Sequence, residues 1–247
     1  MIVKEIEAKT ILSKSQVYDY ALNPYVGCQH SCVYCYAKFM KRFTGHREQW
    51  GEFVDVKINA PELLTREIQK KRKGTVWISG VCDPYQYVEE KYMLTRRCLE
   101  ILGEGRWPVT VQTKSALVLR DIEILKRSAD AEVGFTITTA DDKVRRIFEA
   151  GAPQIEKRVE ALGILHAEGI RTFVMVAPLL PGTDGLVDML KGKVDHALID
   201  RYNYHYADRA YKKHGMEWAM DEKFLQDKGE ELRAAFEKAG IPCRKLY

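Results

Sequence analysis

Short apolar, β-branched runs alternate with amphipathic stretches along most of this chain. Residues 75–79, 108–112, 132–137, 171–176 and 194–199 read as buried strands, and a first strand falls near Tyr18 to Leu22. Between them, Pro61 to Lys71, Leu94 to Leu102, Asp121 to Lys126, Lys143 to Phe148 and Glu156 to His166 carry apolar residues at three- and four-residue spacing, as helices require. Strands joined by helices must pair in parallel, because a crossover returns the chain to the same end of the sheet. Six such units in one series predict an α/β fold of the partial (β/α)6 TIM-barrel type.

At 247 residues the chain suits one domain, with a core from about residue 15 to 205 and a C-terminal extension, 206–247, closing the barrel. No linker or low-complexity tract divides it. The stretch from Lys38 to Asp55 reads as an excursion, and Asp221 to Ala239 as a closing helix. Hydrophobic residues at 46% and charged residues at 30% exclude a disordered chain. No segment has the length of a membrane span and the N-terminus has no signal-peptide core, so a cytoplasmic address with no membrane association is expected. A net charge of +4 is too small to argue for nucleic-acid binding. The basic clusters at residues 70–73, at Arg96-Arg97 and at Lys143 with Arg145-Arg146 read as solvated helix faces.

Within this frame the cysteines are unevenly spent. Of six, three fall within eight residues, Cys28, Cys32 and Cys35. A closed zinc site takes four ligands and so does an ordinary [4Fe–4S] cluster, so a tight trio leaves one metal position open. The polar ends of the predicted strands, residues 80–86, 113–115, 138–141, 178–184 and 203–206, converge on the face where parallel α/β folds carry their sites. The cysteine loop follows the first strand onto that same face.

The Cys-x-x-x-Cys-x-x-Cys spacing resembles the radical SAM superfamily. More narrowly, the motifs at 23–28, 34–37, 59–64, 83–86, 113–115 with Arg120-Asp121, and 178–182 resemble its spore photoproduct lyase-like branch, many of whose members are labelled DNA repair photolyases. The similarity runs from about residue 10 to about 205. It implies that Cys28, Cys32 and Cys35 hold a [4Fe–4S] cluster whose fourth iron takes S-adenosylmethionine. Reductive cleavage would then yield a 5′-deoxyadenosyl radical that abstracts hydrogen from a substrate. A nucleic acid is one candidate substrate, a peptide or small metabolite another, and a flavodoxin or ferredoxin would supply the electron.

By the same resemblance, Lys114 neutralises the methionine carboxylate, Asp83 with the Gly80 backbone meets the amino group, and Thr138 offers its hydroxyl to the ribose. Tyr36 and the backbone at Ala177 flank the adenine. Cys82 departs from relatives, which often carry threonine or serine there. It is either a small buried hydrophobe or a hydrogen-atom donor, and it is the candidate catalytic residue. Cys98 and Cys243 are expected to be structural, His30 and His46 to shape the cysteine loop, and His205 with Asn203, Tyr204, Tyr206 and Trp218 to lie where a substrate would bind. The competing reading is a non-catalytic metal protein in which His30, His46 or Cys82 completes a zinc site.

Overall fold

The computed structural model describes residues 1–247, which divide into two compact units, 1–31 with 37–133 and 32–36 with 134–247. In the first, β2 (Leu12–Lys14) pairs antiparallel with β3 (Tyr20–Leu22), which pairs in parallel with β6 (Val76–Ile78), itself parallel to β7 (Val109–Thr113). A separate sheet has the order β1 (Ile2–Ile6), β5 (Phe53–Lys57), β4 (Tyr25–Val26). Helices α1 (Ala60–Ile68), α2 (Val88–Tyr92), α3 (Leu94–Glu104) and α4 (Ile122–Leu125) fill the connections. Pro61 falls in the first turn of α1, where its missing N–H costs nothing.

Strand β8 (Ala131–Thr136) carries the chain from the first unit into the second. There β9 (Arg171–Val176) pairs in parallel with β10 (His196–Ile199), and β10 with β11 (Cys243–Lys245). Helices α5 (Asp142–Phe148), α6 (Ile155–Ala167), α7 (Leu186–Leu190), α8 (Asp208–Lys213) and α9 (Glu222–Lys238) belong to this unit. The Asp221 carboxylate caps α9, accepting from the amides of Lys223 and Phe224. No pairing closes either run of strands into a barrel, and no helix is long and apolar enough to cross a membrane.

Strands β3, β6, β7, β8, β9 and β10 supply the parallel strands expected from the sequence, with helices between them. Three features differ from expectation. The excursion after the cysteine loop ends in β5, which pairs with both β1 and β4. The C-terminal segment adds β11 as well as a helix. Arg145, expected on a solvated face, is buried: it bonds both carboxylate oxygens of Asp142 and the carbonyls of Glu149 and Ala152. Arg146 beside it does face water.

Candidate active site

The cysteine loop begins where β4 ends, and glycine makes its entry possible. Gly27 has φ +92°, and a Cβ there would lie 2.3 Å from the Phe53 carbonyl oxygen. Gly51, at φ +100°, likewise backs the loop, with a hypothetical Cβ 2.2 Å from the Ser31 hydroxyl. Fully buried Gln86 then grips the first half of the loop from both sides. Its carbonyl accepts the Gln29 amide at 2.9 Å and its NH₂ donates to the Gly27 carbonyl at 3.1 Å. The Gln29 side chain in turn accepts from the Val88 amide at 2.7 Å, at the start of α2.

His30 is buried against Asp83, with Nδ1 3.3 Å from Oδ2. Asp83 also accepts from the Thr113 hydroxyl (2.7 Å), the Tyr85 amide (2.9 Å) and the Lys114 amide (2.7 Å). Burial alone would raise its pKa, but the His30 ring and these donors hold the carboxyl down at about 2. One carboxylate thus ties the cysteine loop, the 80–86 turn and the end of β7 together. Sequence reasoning placed Asp83 against a ligand's amino group, whereas its oxygens here are engaged by four protein donors.

The turn carrying Gly80 and Cys82 is held by Asn23, which follows β3. Asn23 Oδ1 accepts from the Ser79 hydroxyl at 2.6 Å and the Val81 amide at 3.0 Å, and the Lys57 ammonium donates to the Asn23 carbonyl at 2.9 Å. Cys82 Sγ lies 3.0 Å from Ser79 Oγ and packs against the apolar group of Tyr25, Val54, Val56, Val88 and Leu94. Burial pushes its thiol up to about 12, so it stays protonated at neutral pH.

The second half of the loop is fastened by a different chemistry. The Val33 amide donates to the Phe148 carbonyl at 2.9 Å, at the end of α5. The Tyr34 hydroxyl makes a short hydrogen bond to Glu149, which also accepts from Thr138 at 3.0 Å and pairs with Arg158 at 2.6 Å. Glu149 and Arg158 are both fully buried, and Arg158 further donates to the carbonyls of Thr136 and Pro153. Thr138, expected to offer its hydroxyl to a ribose, is buried and gives it to Glu149. Tyr36, immediately after Cys35, is partly exposed; its ring stacks on Tyr204 at 6.0 Å, and Tyr204 stacks on Tyr206 at 6.2 Å. Ala177 follows β9 and is half-buried, with a cis bond to Pro178.

Among the remaining histidines, His46 bonds Asp55 (2.8 Å) and Glu48 (3.2 Å) and stacks on Phe53. That fixes the excursion and leaves no ring nitrogen for zinc. Sequence reasoning missed Gln86, Glu149 and Arg158 as loop anchors. Gln86 was visible as part of the 83–86 motif; nothing local marks the other two.

None of the six cysteines is in a disulfide; Cys28 and Cys32 are buried and Cys35 is partly exposed. No three His, Cys, Asp or Glu side chains form a single-ion cage. A [4Fe–4S] cluster asks for no such cage, since each thiolate binds a different iron. Three reduced thiols on a loop backed by Gly27 and Gly51 and anchored at both halves fit that donor requirement.

These features define an α/β protein organised around a three-cysteine loop. Residues 22–188 match the model of the Radical SAM superfamily, and the chain belongs to that superfamily. A protein of Methanocaldococcus jannaschii with no assigned function is 35% identical over 179 residues, spanning 72% of this chain and 67% of its own length. A radical SAM Nalpha-GlyT isomerase of Pseudomonas phage M6 is 25% identical over 161 residues, 64% of this chain and 33% of its own. A mycobacterial relative is likewise covered over only 56% of its length. Spore photoproduct lyase complexed with dinucleoside spore photoproduct superposes with TM-score 0.73 at 13% identity, covering 99% of this chain and 82% of that one. Streptococcus suis SuiB bound to its precursor peptide SuiA gives 0.59 at 16%, covering 92% and 48%. The fold is therefore that of radical SAM enzymes, an α/β partial barrel with a mostly parallel sheet.

Proposed function

We propose that this chain is a radical SAM enzyme of the spore photoproduct lyase-like branch, with a [4Fe–4S] cluster on Cys28, Cys32 and Cys35. The observation that carries this reading is the loop itself: three cysteines outside any disulfide, at superfamily spacing, with each half of the loop held by buried partners. With cluster and S-adenosylmethionine bound, the chemistry supplied is one-electron cleavage of the sulfonium bond, giving a 5′-deoxyadenosyl radical.

The protein's own part is to bind, orient and shield. In this reading Lys114 and the Gly80 backbone receive the carboxylate and amino ends of the methionine. Tyr36 and the Ala177 backbone flank the adenine. The engagement of Asp83 by protein donors, and of the Thr138 hydroxyl by the Glu149 carboxylate, supports a positioning role for both. Cys82, kept as a thiol, retains the S–H bond that a product radical would need, and Cys82→Ala should spare cofactor cleavage while stopping turnover.

For the substrate, the exposed Tyr204–Tyr206 pair favours a planar ring, and a nucleobase fits it. Exposed Arg209, Lys212 and Lys213 follow the pair on α8 and suit a phosphate backbone.

Anaerobic reconstitution with iron and sulfide should give a brown protein that, once reduced, releases 5′-deoxyadenosine from S-adenosylmethionine. Stoichiometric zinc with no such product would return the chain to the non-catalytic reading. A single-stranded oligonucleotide should bind with a steep salt dependence that Tyr204→Ala weakens; a flat response would favour a peptide or metabolite.

A further inference from the structure

The basic run at residues 70–73, expected on a solvated helix face, lies outside any helix: α1 ends at Ile68, and the run belongs to the connection leading into β6. Two neighbouring connections carry further cations, Arg106 before β7 and Arg127 before β8. All three belong to the first unit and enter adjacent strands. Backbone bonds hold them side by side: the Val76 amide donates to the Pro108 carbonyl and the Val109 amide to the Asp130 carbonyl, both at 2.9 Å. Trp107 is their common support. Its carbonyl accepts the Ser128 hydroxyl at 2.6 Å, and its ring lies 5.9 Å from that of Tyr20, over which the Lys71 ammonium sits at 5.8 Å.

Lys70, Lys71, Arg72, Lys73, Arg106 and Arg127 thus share one end of the sheet, and none of them forms an ion pair. Elsewhere in the unit Arg96, Arg97 and Arg120 are each spent on a carboxylate. Of the acids nearby, Asp19 accepts the Thr75 amide at 2.7 Å, and with exposed Glu104 and Asp130 they are too few to balance the cations. Like charges gathered without partners repel, so stability alone does not call for the arrangement.

The three connections expose no large apolar side chain, so they offer neither the core of a protein interface nor a membrane-inserting face. Adjacent strands lie about 4.8 Å apart, and a duplex presents one charge about every 1.7 Å along its axis, so cations on three adjacent strand starts can meet several phosphates at once. We infer that this end of the first unit binds the phosphodiester backbone of a nucleic acid without reading its sequence. The surface goes beyond the reading above and does not depend on it. It sits at the starts of β6 and β7, whereas Asp83 and Lys114 follow their ends.

The test is a salt series with the full chain and a DNA duplex of mixed sequence, with an RNA duplex as a parallel arm. A duplex keeps its bases stacked away from Tyr204 and Tyr206, so the backbone term is what it reports. Wild type should bind with log K falling steeply against log salt. In Lys70→Ala/Arg72→Ala/Arg106→Ala that slope should drop by about 2 to 3 on DNA, about 0.9 for each lost phosphate contact, and affinity should fall alike for unrelated sequences. Arg97→Ala, whose side chain is spent on Glu62, should keep the wild-type slope. The three substituted positions are exposed, so the melting temperature should hold; should it fall, Arg127→Ala alone must lower the slope by about 1. Binding in one arm alone supports the proposal and names the nucleic acid. A wild type that binds neither duplex, a triple variant with the wild-type slope, an equal drop in Arg97→Ala, or binding to anionic phospholipid vesicles in place of both duplexes would overturn it.

Discussion

The two halves of the cysteine loop are held by unlike means. From Gly27 to Ser31 the anchors are mostly neutral: the Gln86 amide, the Gln29 side chain and a glycine-lined entry, joined by the His30–Asp83 contact. From Cys32 to Tyr36 the anchor is a fully buried ion pair, Glu149 with Arg158, reached through the Tyr34 hydroxyl. A neutral amide that loses one bond loses one bond. A buried carboxylate that loses its guanidinium becomes an unpaired charge in a low dielectric. The second half should therefore be the stiffer and the more fragile to substitution.

That difference can be broken most forcefully at Arg158. Arg158→Met should cost about 3–5 kcal/mol in denaturant unfolding, and Arg158→Met with Glu149→Leu should recover at least half of that by removing the stranded charge. A single variant that behaves like a surface substitution would remove the contrast.

The charged member of the first half offers a pH test. Asp83, with a folded pKa of about 2, binds fewer protons folded than unfolded, where about 3.9 is usual. Its contribution of about 2 kcal/mol is thus present above pH 4 and fades as pH falls toward 2. Asp83→Asn should lose stability at pH 6, with the gap from wild type closing between pH 4 and 2. A gap that stays constant across that range would deny Asp83 its ionised role.

Gln86→Leu is expected to have the smallest effect, about 1–2 kcal/mol, since a few neutral bonds are involved. Its sharper signature is functional: iron bound per chain after reconstitution should drop while the melting temperature moves by only a few degrees. Full iron occupancy would mean that Gln86 does not shape the loop.

The strands at 75–79, 108–112, 132–137 and 171–176 were legible because burial on both faces demands continuous apolar, β-branched runs. Strand β1 was not, because Ile2 to Glu5 are exposed and mixed with charge, and its partner β5 lies some fifty residues away. Arg145 and Arg158 stand in helical patterns that read as ordinary amphipathic faces. Both are buried, Arg145 because Asp142 and the carbonyls of Glu149 and Ala152 receive it, and Arg158 because Glu149 and the carbonyls of Thr136 and Pro153 do. The thiol trio and the motifs around it were plain; the clamps on the loop were not.

Sequence alone determined the alternation of strands and helices, and with it the parallel α/β fold, because hydrophobic period is a local property. It also determined the three-thiol donor set, since spacing within eight residues needs no folding to be read. Only the tertiary structure decided how those thiols are held. Asp83, Gln86 and Glu149 act through partners that include residues 30, 57 and 115 positions away along the chain. A polar side chain's role in a buried network depends on which donors and acceptors the fold brings to it, and that information is absent from any local window of the chain.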